Sequence, residues 1–137
     1  MSQLVRFGVA LEKNVLKEFD QLIRRRHYPT RSKAIGDLIR AELVNQQWES
    51  DILVTGVIAL VYDHHRRDLV NHLVDVQHQF HPRIISSQHV HLDHHHCLEI
   101  IVAKGRAREV EELANLLQSV KGVKFGYLVR ATTGKQL

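Results

Sequence analysis

Histidine and cysteine crowd into one stretch of this 137-residue chain. Between Gln77 and Glu99 lie seven of its eleven histidines and its only cysteine, Cys97. Imidazole nitrogen and thiolate sulfur are preferred ligands of borderline and soft transition ions. Their spacing is specific: His78, ten residues, His89, one residue, His91, five residues, Cys97. Residues two apart in a strand share a face, so His89 and His91 project together. Cys97 opens the next β-like run, which a short turn would pair with theirs. His78 lies at the end of a helical stripe through Val70 and Val74, where the helix leaves the core and an interface with another copy could use it. Three imidazoles and a thiolate suit square-planar Ni(II) or Cu(II), or tetrahedral Zn(II), and spacing does not choose among them. A cysteine standing alone is more often a core filler. Opposite a His-x-His pair, its reading as a ligand is preferred.

These side chains need a scaffold, and the flanking patterns describe one. Ile52–Tyr62 is rich in β-branched residues and reads as a strand. Arg66–Phe80 carries Leu69, Val70, Leu73 and Val74 at helical spacing. Ile84–Leu92 and Cys97–Ala103 read as strands, with Asp93-His94-His95-His96 as their hairpin connection. Gly105 breaks the chain, then Val110, Leu113, Ala114, Leu117 and Val120 form a second helical stripe, and Val123–Arg130 closes as a strand. The order βαββαβ predicts a ferredoxin-like sandwich, two helices on one face of a four-stranded sheet. ACT-type effector-binding domains share that order, so it says little about function alone. His94, His95 and His96 are expected as exposed turn residues. His81, before Pro82, is expected at the surface with at most an accessory metal role. His64, in the loop before the first of these helices, is a candidate for a secondary metal site.

The first third has a different character. Residues 1–48 hold nine Lys/Arg against five Asp/Glu, whereas residues 49–137 hold ten of each. Ten of the eleven histidines follow residue 49. Two domains are therefore predicted, 1–48 and 52–137, and the first faces a polyanion. Within it, Val5, Phe7, Val9 and Leu11 alternate with Leu4, Arg6, Gly8 and Ala10, a strand with one apolar face. Val15, Leu16, Phe19, Leu22 and Ile23 mark a helix ended by the run Arg24–Pro29, because proline disfavours the helical conformation in the residue before it. Thr30 or Ser32 is the expected N-cap of a second helix with the stripe Ala34, Ile35, Leu38, Ile39 and Leu43.

A lone strand has no hydrogen-bonding partner, and a βαα unit this short buries little surface. Pairing the strands of two copies answers both needs, and a two-stranded ribbon fits the DNA major groove. Arg6 is then the main base reader. The helix start at Thr30, Arg31 and Ser32 offers backbone N–H groups to phosphate. The same alternation also fits an edge strand of one larger domain with a solvated arginine run.

No run reaches the ~20 apolar residues of a membrane span, and the start lacks the apolar core of a signal peptide. One cysteine gives no disulfide framework. A cytoplasmic location without membrane association is expected.

With both halves described, the chain resembles the nickel-responsive branch of the ribbon-helix-helix proteins, the NikR-type repressors. The likeness rests on the N-terminal strand and two helices with Arg31-Ser32-Lys33-Ala34-Ile35. It rests also on the signature Gln77-His78, His89-x-His91 and Cys97-Leu98-Glu99. It covers nearly the whole chain and implies an α+β protein, a ribbon-helix-helix domain followed by an ACT-like domain for metal binding and tetramerisation. It implies one Ni(II) per subunit, held square-planar by His89, His91 and Cys97 of one chain and His78 of a neighbour. Gln77 and Glu99 would orient those ligands. It further implies a homotetramer, a dimer of dimers, bound to double-stranded operator DNA, repressing nickel uptake and catalysing no reaction. Arg6, Gly8 and Ala10 occupy the base-reading triplet, where an Arg with two Thr is usual in the family. Lys33 stands where relatives often carry a carboxylate, at a secondary cation site. The alternative is a metalloenzyme or metal buffer using the same His/Cys set with zinc or copper. An enzyme needs an open coordination position, which four protein ligands do not leave, and a buffer has no need of a basic first domain.

Overall fold

In the computed structural model, which describes residues 3–137, the stripe from Val15 to Ile23 forms α1 (Lys13–Arg25). The helix stops by a backbone reversal rather than by the proline. His27 takes a left-handed φ of 59°. Tyr28 N–H donates to the Ile23 carbonyl at 2.9 Å and His27 N–H to that of Arg24 at 3.1 Å. This bond pair closes a helix after a left-handed residue. Next comes α2 (Arg31–Glu49). Its N-cap is Thr30, whose hydroxyl accepts from Lys33 N–H at 3.1 Å, a cap worth roughly 1 kcal/mol.

The chain divides into two compact units between Arg40 and Ala41. In the first, Leu4–Leu11 makes no strand ladder, and its apolar side chains stand open, with Leu4 95 % and Phe7 70 % exposed. The unit contains no second strand among the described residues, so the segment's N–H and C=O groups have no neighbour to pair with. Val9, Leu11, Val15, Leu16, Phe19 and Leu38 line an apolar groove beside it.

The second unit includes the last turns of α2. Val44 packs against the core, Trp48 is buried within it, and the Trp48 indole N–H donates to the Ala131 carbonyl at 2.9 Å. Asp51, with φ 53°, ends α2 by the same reversal seen at His27. β1 (Leu53–Asp63), α3 (Arg67–Gln79), a 3-10 turn (His81–Arg83), β2 (Ile84–His91), β3 (His96–Arg106), α4 (Ala107–Gln118) and β4 (Phe125–Arg130) follow. The strands form one antiparallel sheet in the order β2-β3-β1-β4. This is the βαββαβ order that the sequence predicts. Gly105 does not break the chain: it pairs with Val54 inside β3, which continues to Arg106 before α4 begins. Glycine suits this spot because a side chain there would run into Arg83, its Cβ 2.9 Å from Cδ.

Burial alternates along the central strands as a one-sided sheet requires. Val54, Ile58, Leu60 and Tyr62 of β1 and Cys97, Glu99, Ile101 and Ala103 of β3 point inward. Leu69, Leu73 and Val76 of α3 and Val110, Leu113, Ala114 and Leu117 of α4 cover them. The opposite parity forms apolar cross-strand rows, Val102–Val57–Val129, Ile100–Ala59–Tyr127 and Val90–Leu98–Val61–Phe125. Among the described residues no helix is long and apolar enough to cross a membrane.

Candidate metal centre and nucleic-acid-facing unit

Three of the four predicted metal ligands fall on one sheet face by register. His91 pairs with Cys97 and His89 with Glu99 across the β2–β3 ladder. Paired residues share a face, and Cys97 and Glu99 are inward at 2 % exposure each. His89 and His91 therefore lie on the inward-facing side but near the open edge, where both are exposed. The hairpin turn is fixed by Asp93, whose Oδ1 accepts from the N–H groups of His95 at 2.8 Å and His96 at 2.7 Å.

Glu99 is the hub of the polar contacts. Its Oε1 accepts from the Tyr62 hydroxyl at 2.7 Å. Its Oε2 accepts from Gln77 Nε2 at 3.0 Å and lies 3.0 Å from His89 Nε2. A carboxylate on one ring nitrogen fixes an imidazole's orientation and leaves the other nitrogen available to a metal. For His89 that other nitrogen is Nδ1. Gln77 ties the last turn of α3 to β3 through the same oxygen. Burial, and beside it the Glu99 carboxylate, push the Tyr62 hydroxyl well above its ordinary pKa. Burial likewise raises the Cys97 thiol, so in the single chain the sulfur is a neutral, enclosed group.

His78 is exposed on α3 and is not brought to these residues. Among the described residues no three His, Cys, Asp or Glu side chains already converge on one point. The donor chemistry nevertheless fits a transition ion, because a His–Cys cross-strand pair and a carboxylate-anchored imidazole share one face. Tyr62 is the residue that the spacing argument omits. Its inward parity in β1 was readable from the alternation Val54, Ile58, Leu60, but its place opposite Cys97 depends on β1 lying beside β3, which spacing does not give.

The accessory candidates separate. His81 is exposed in the 3-10 turn. His64 is half-buried, its ring 4.7 Å from that of His91 and 4.3 Å from that of His65, and its Nε2 is buried without a hydrogen-bond partner. Burial, then the neighbouring His65 and His91, hold it below the usual imidazole range. His96 is not a plain exposed turn residue: it is half-buried between Asp93 and Lys124, with Nδ1 2.9 Å from the carboxylate and Nε2 2.8 Å from Lys124 Nζ.

In the first unit Arg6, Gly8 and Ala10 are exposed, and a Cβ on Gly8 would meet nothing within 4 Å. At the start of α2, Thr30 and Arg31 have intramolecular work. The Thr30 hydroxyl caps the helix. The Arg31 guanidinium grips Asp20 of α1 with two bonds of 2.8 and 2.7 Å, which hold the Asp20 carboxyl below its ordinary range. Ser32 is exposed. Lys33 Nζ lies 2.6 Å from Asp37 Oδ1, so an ammonium group already sits on that carboxylate.

Comparison with known proteins agrees on both halves. Residues 5–46 match the family model of ribbon-helix-helix proteins of the copG family, and residues 55–131 that of the NikR C-terminal nickel-binding domain. A relative from Syntrophus aciditrophicus is 49% identical over 135 residues, 98% of each chain. One from Chlorobium limicola is 52% identical over 134 residues, 98% of this chain and 100% of the relative. One from Geobacter sulfurreducens is 51% identical over 138 residues, 100% of this chain and 99% of the relative. All three are described as candidate nickel-responsive regulators. A solved structure of an uncharacterized Thermotoga maritima protein superposes with a TM-score of 0.52 at 15% identity, over 57% of this chain and 96% of that one, a likeness of fold alone.

Proposed function

The chain belongs to the NikR family of nickel-responsive regulators, joining a ribbon-helix-helix DNA-binding domain to a nickel-binding domain, and from that premise we propose that it represses nickel-uptake genes when nickel is sufficient. The observation that carries this reading is the shared inward face of His89, His91 and Cys97, with Glu99 beneath His89. Those three residues of one chain and His78 of a neighbouring copy hold one Ni(II) per subunit. Bound nickel supplies a link between side chains of different chains.

The protein's own residues set the conditions for that link. Cys97 must release a proton that burial otherwise retains, so metal uptake is coupled to proton release. Glu99 turns His89 so that Nδ1 is its free donor, and Gln77 holds the end of α3, next to His78, against the same carboxylate. The effector shifts the protein towards its DNA-binding arrangement only by binding that arrangement more tightly. His64 and His81 remain outside the four-ligand set.

Self-association follows from uncovered apolar surface. The outward rows of the sheet, including the exposed Phe125, Tyr127 and Val129, supply a face for tetramer assembly. In the first unit, Val5, Phe7, Val9 and Leu11 need a cover, which a second copy's strand supplies when the two pair as a ribbon. Arg6, Gly8 and Ala10 then face the major groove. Because Thr30 and Arg31 are occupied within the chain, phosphate is met by backbone N–H groups at the start of α2 and by the Ser32 hydroxyl. The working location is the cytoplasm, beside the DNA.

Retention of promoter fragments from nickel-transport genes, with and without nickel at one stated salt concentration, tests the reading. Nickel should strengthen binding to those fragments over unrelated DNA, and Cys97→Ala should remove the response. Equal retention with and without nickel would overturn it.

A further inference from the structure

Arg31 opens α2 at a helix start suited to an anion, yet its side chain is turned to a carboxylate of its own chain. The N–H groups of Arg31 and Ser32 lie in the first turn, where no carbonyl of the same helix can accept from them. The Thr30 hydroxyl accepts from Lys33 N–H and leaves those two to an outside partner. From α1, Asp20 takes the guanidinium instead. Arg31 Nε and Nη2 donate to Oδ1 and Oδ2 of Asp20 at 2.8 and 2.7 Å, the two-bond fork that an arginine also offers a phosphate. Arg24, one turn on from Asp20, donates to the Asp20 backbone carbonyl at 3.3 Å rather than to the carboxylate. Among the described residues Arg31 is the only cation within ion-pair distance of that carboxylate.

The charge of this pair decides what it does to a duplex. DNA attracts a protein chiefly through its phosphates, in proportion to the cationic groups that displace counterions. Paired with Asp20, Arg31 keeps donors to spare but brings no net charge. The pair is also open to solvent, its side chains 55 % and 29 % exposed, so parting it costs only a modest interaction. Asp20 is eleven residues away in the same chain, so it competes for the guanidinium at every encounter with phosphate.

We propose that Asp20 is a built-in brake on DNA affinity, its carboxylate holding the Arg31 guanidinium that would otherwise meet a backbone phosphate at the start of α2. This rests on the reading of that helix start as the phosphate-facing part of the first unit. The brake acts on all sequences alike, because a phosphate contact carries no sequence information. It lowers retention on unrelated DNA and leaves a larger share of operator affinity to base contacts. The opposite role, Asp20 aiming Arg31 at phosphate, predicts the opposite sign for removing the carboxylate.

The test measures binding of the full chain to an unrelated duplex without nickel, across a series of salt concentrations, at a temperature where circular dichroism shows every variant folded. Asp20→Asn should bind about three- to tenfold more tightly than wild type at low salt, each exposed pair being a modest interaction. Its salt dependence should be steeper by about 0.9 for each phosphate gained. Asp20→Ser, which removes the same charge with a smaller side chain, should show the same gain. Asp20→Glu, which keeps the charge, should stay near wild type. Asp20→Asn/Arg31→Gln should lose the gain, since the extra affinity belongs to Arg31. Equal or weaker binding by both Asp20→Asn and Asp20→Ser would overturn the brake, whatever the nickel response of wild type. A gain in both variants beside a wild type that ignores nickel would uphold the brake and overturn only the nickel-dependent reading.

Discussion

The Tyr62 hydroxyl donates a 2.7 Å hydrogen bond to Oε1 of Glu99, and Gln77 and His89 meet Oε2 of the same carboxylate. A buried carboxylate is thereby satisfied from three elements at once. Tyr62→Phe removes the partner of Oε1. Leaving a buried acceptor unsatisfied costs roughly 1–3 kcal/mol, which urea unfolding should register. A carboxylate free to turn also holds His89 less firmly, and loss of such support commonly weakens metal affinity about 10–100-fold. Nickel titration of the folded variant reads that effect separately from stability.

The proposed sharing of the nickel site between subunits has a complementation signature. His78→Ala and Cys97→Ala should each lack the nickel–thiolate absorption of wild type when prepared alone. Refolded together, roughly a quarter of the sites should regain all four ligands, for random pairing of chains across the interface. No recovery in the mixture would confine the donors to one chain.

Arg6 should matter for DNA and not for metal. Arg6→Ala should lower operator affinity by about 1–3 kcal/mol, the range of a bidentate base contact. The nickel spectrum should be unchanged. Replacing Ser32 by Ala should weaken all DNA sequences alike, since a phosphate contact carries no sequence information.

The Arg31–Asp20 pair predicts a pH-dependent term in the stability of the first unit. The Asp20 carboxyl is held below its ordinary value chiefly by the hydrogen bond from Arg31. A depressed folded-state pKa contributes stability above the unfolded value, about 3.9, and that contribution is lost as pH falls through the folded value. Asp20→Asn lacks it at every pH. The difference in melting temperature between wild type and variant should therefore be present at neutral pH and shrink towards zero in strong acid. A difference that persists there would assign the effect to packing.

Gly56→Ala probes the packing of the second unit. A Cβ at Gly56 would stand 2.7 Å from Val110 Cγ1 and 3.1 Å from Leu128 Cδ1, both in packed surroundings. Overpacking of this kind costs typically 1–3 kcal/mol. Gly8→Ala, where a Cβ meets nothing within 4 Å, is the contrasting substitution: it should leave stability nearly unchanged while altering the surface offered to DNA.

What the sequence made legible was periodic. Inward parity along β1 and β3 and the helical stripes of α1, α3 and α4 could be read because burial imposes the periods 2 and 3.6. The His89-x-His91 pair was legible for the same reason, since both residues share a parity. What was not legible depends on backbone reversals and on neighbours remote in sequence. His27, a residue with a side chain, takes the left-handed position that glycine usually fills, so nothing in its type marks the end of α1. Gly105 carries the type of a chain breaker but serves a close approach by Arg83 within a strand. Tyr62 meets Glu99 only because β1 is inserted between β3 and β4, and the bond between His65 and the His94 carbonyl joins loops 29 residues apart.

The pairing of His91 with Cys97 bears on folding fidelity. Side-chain direction alternates with every residue, so a one-residue slip between β2 and β3 would turn the imidazoles away from the sulfur. The core guards against that slip, because shifting β3 against its neighbours would also turn Ile101 and Ala103 out and Ile100 and Val102 in, with Glu99 carried away from Tyr62. The hydrophobic register thus acts as a proofreading step for the proposed donor set. A chain that has buried its core correctly has, in the same event, set His89 and His91 on the same face of the sheet as Cys97.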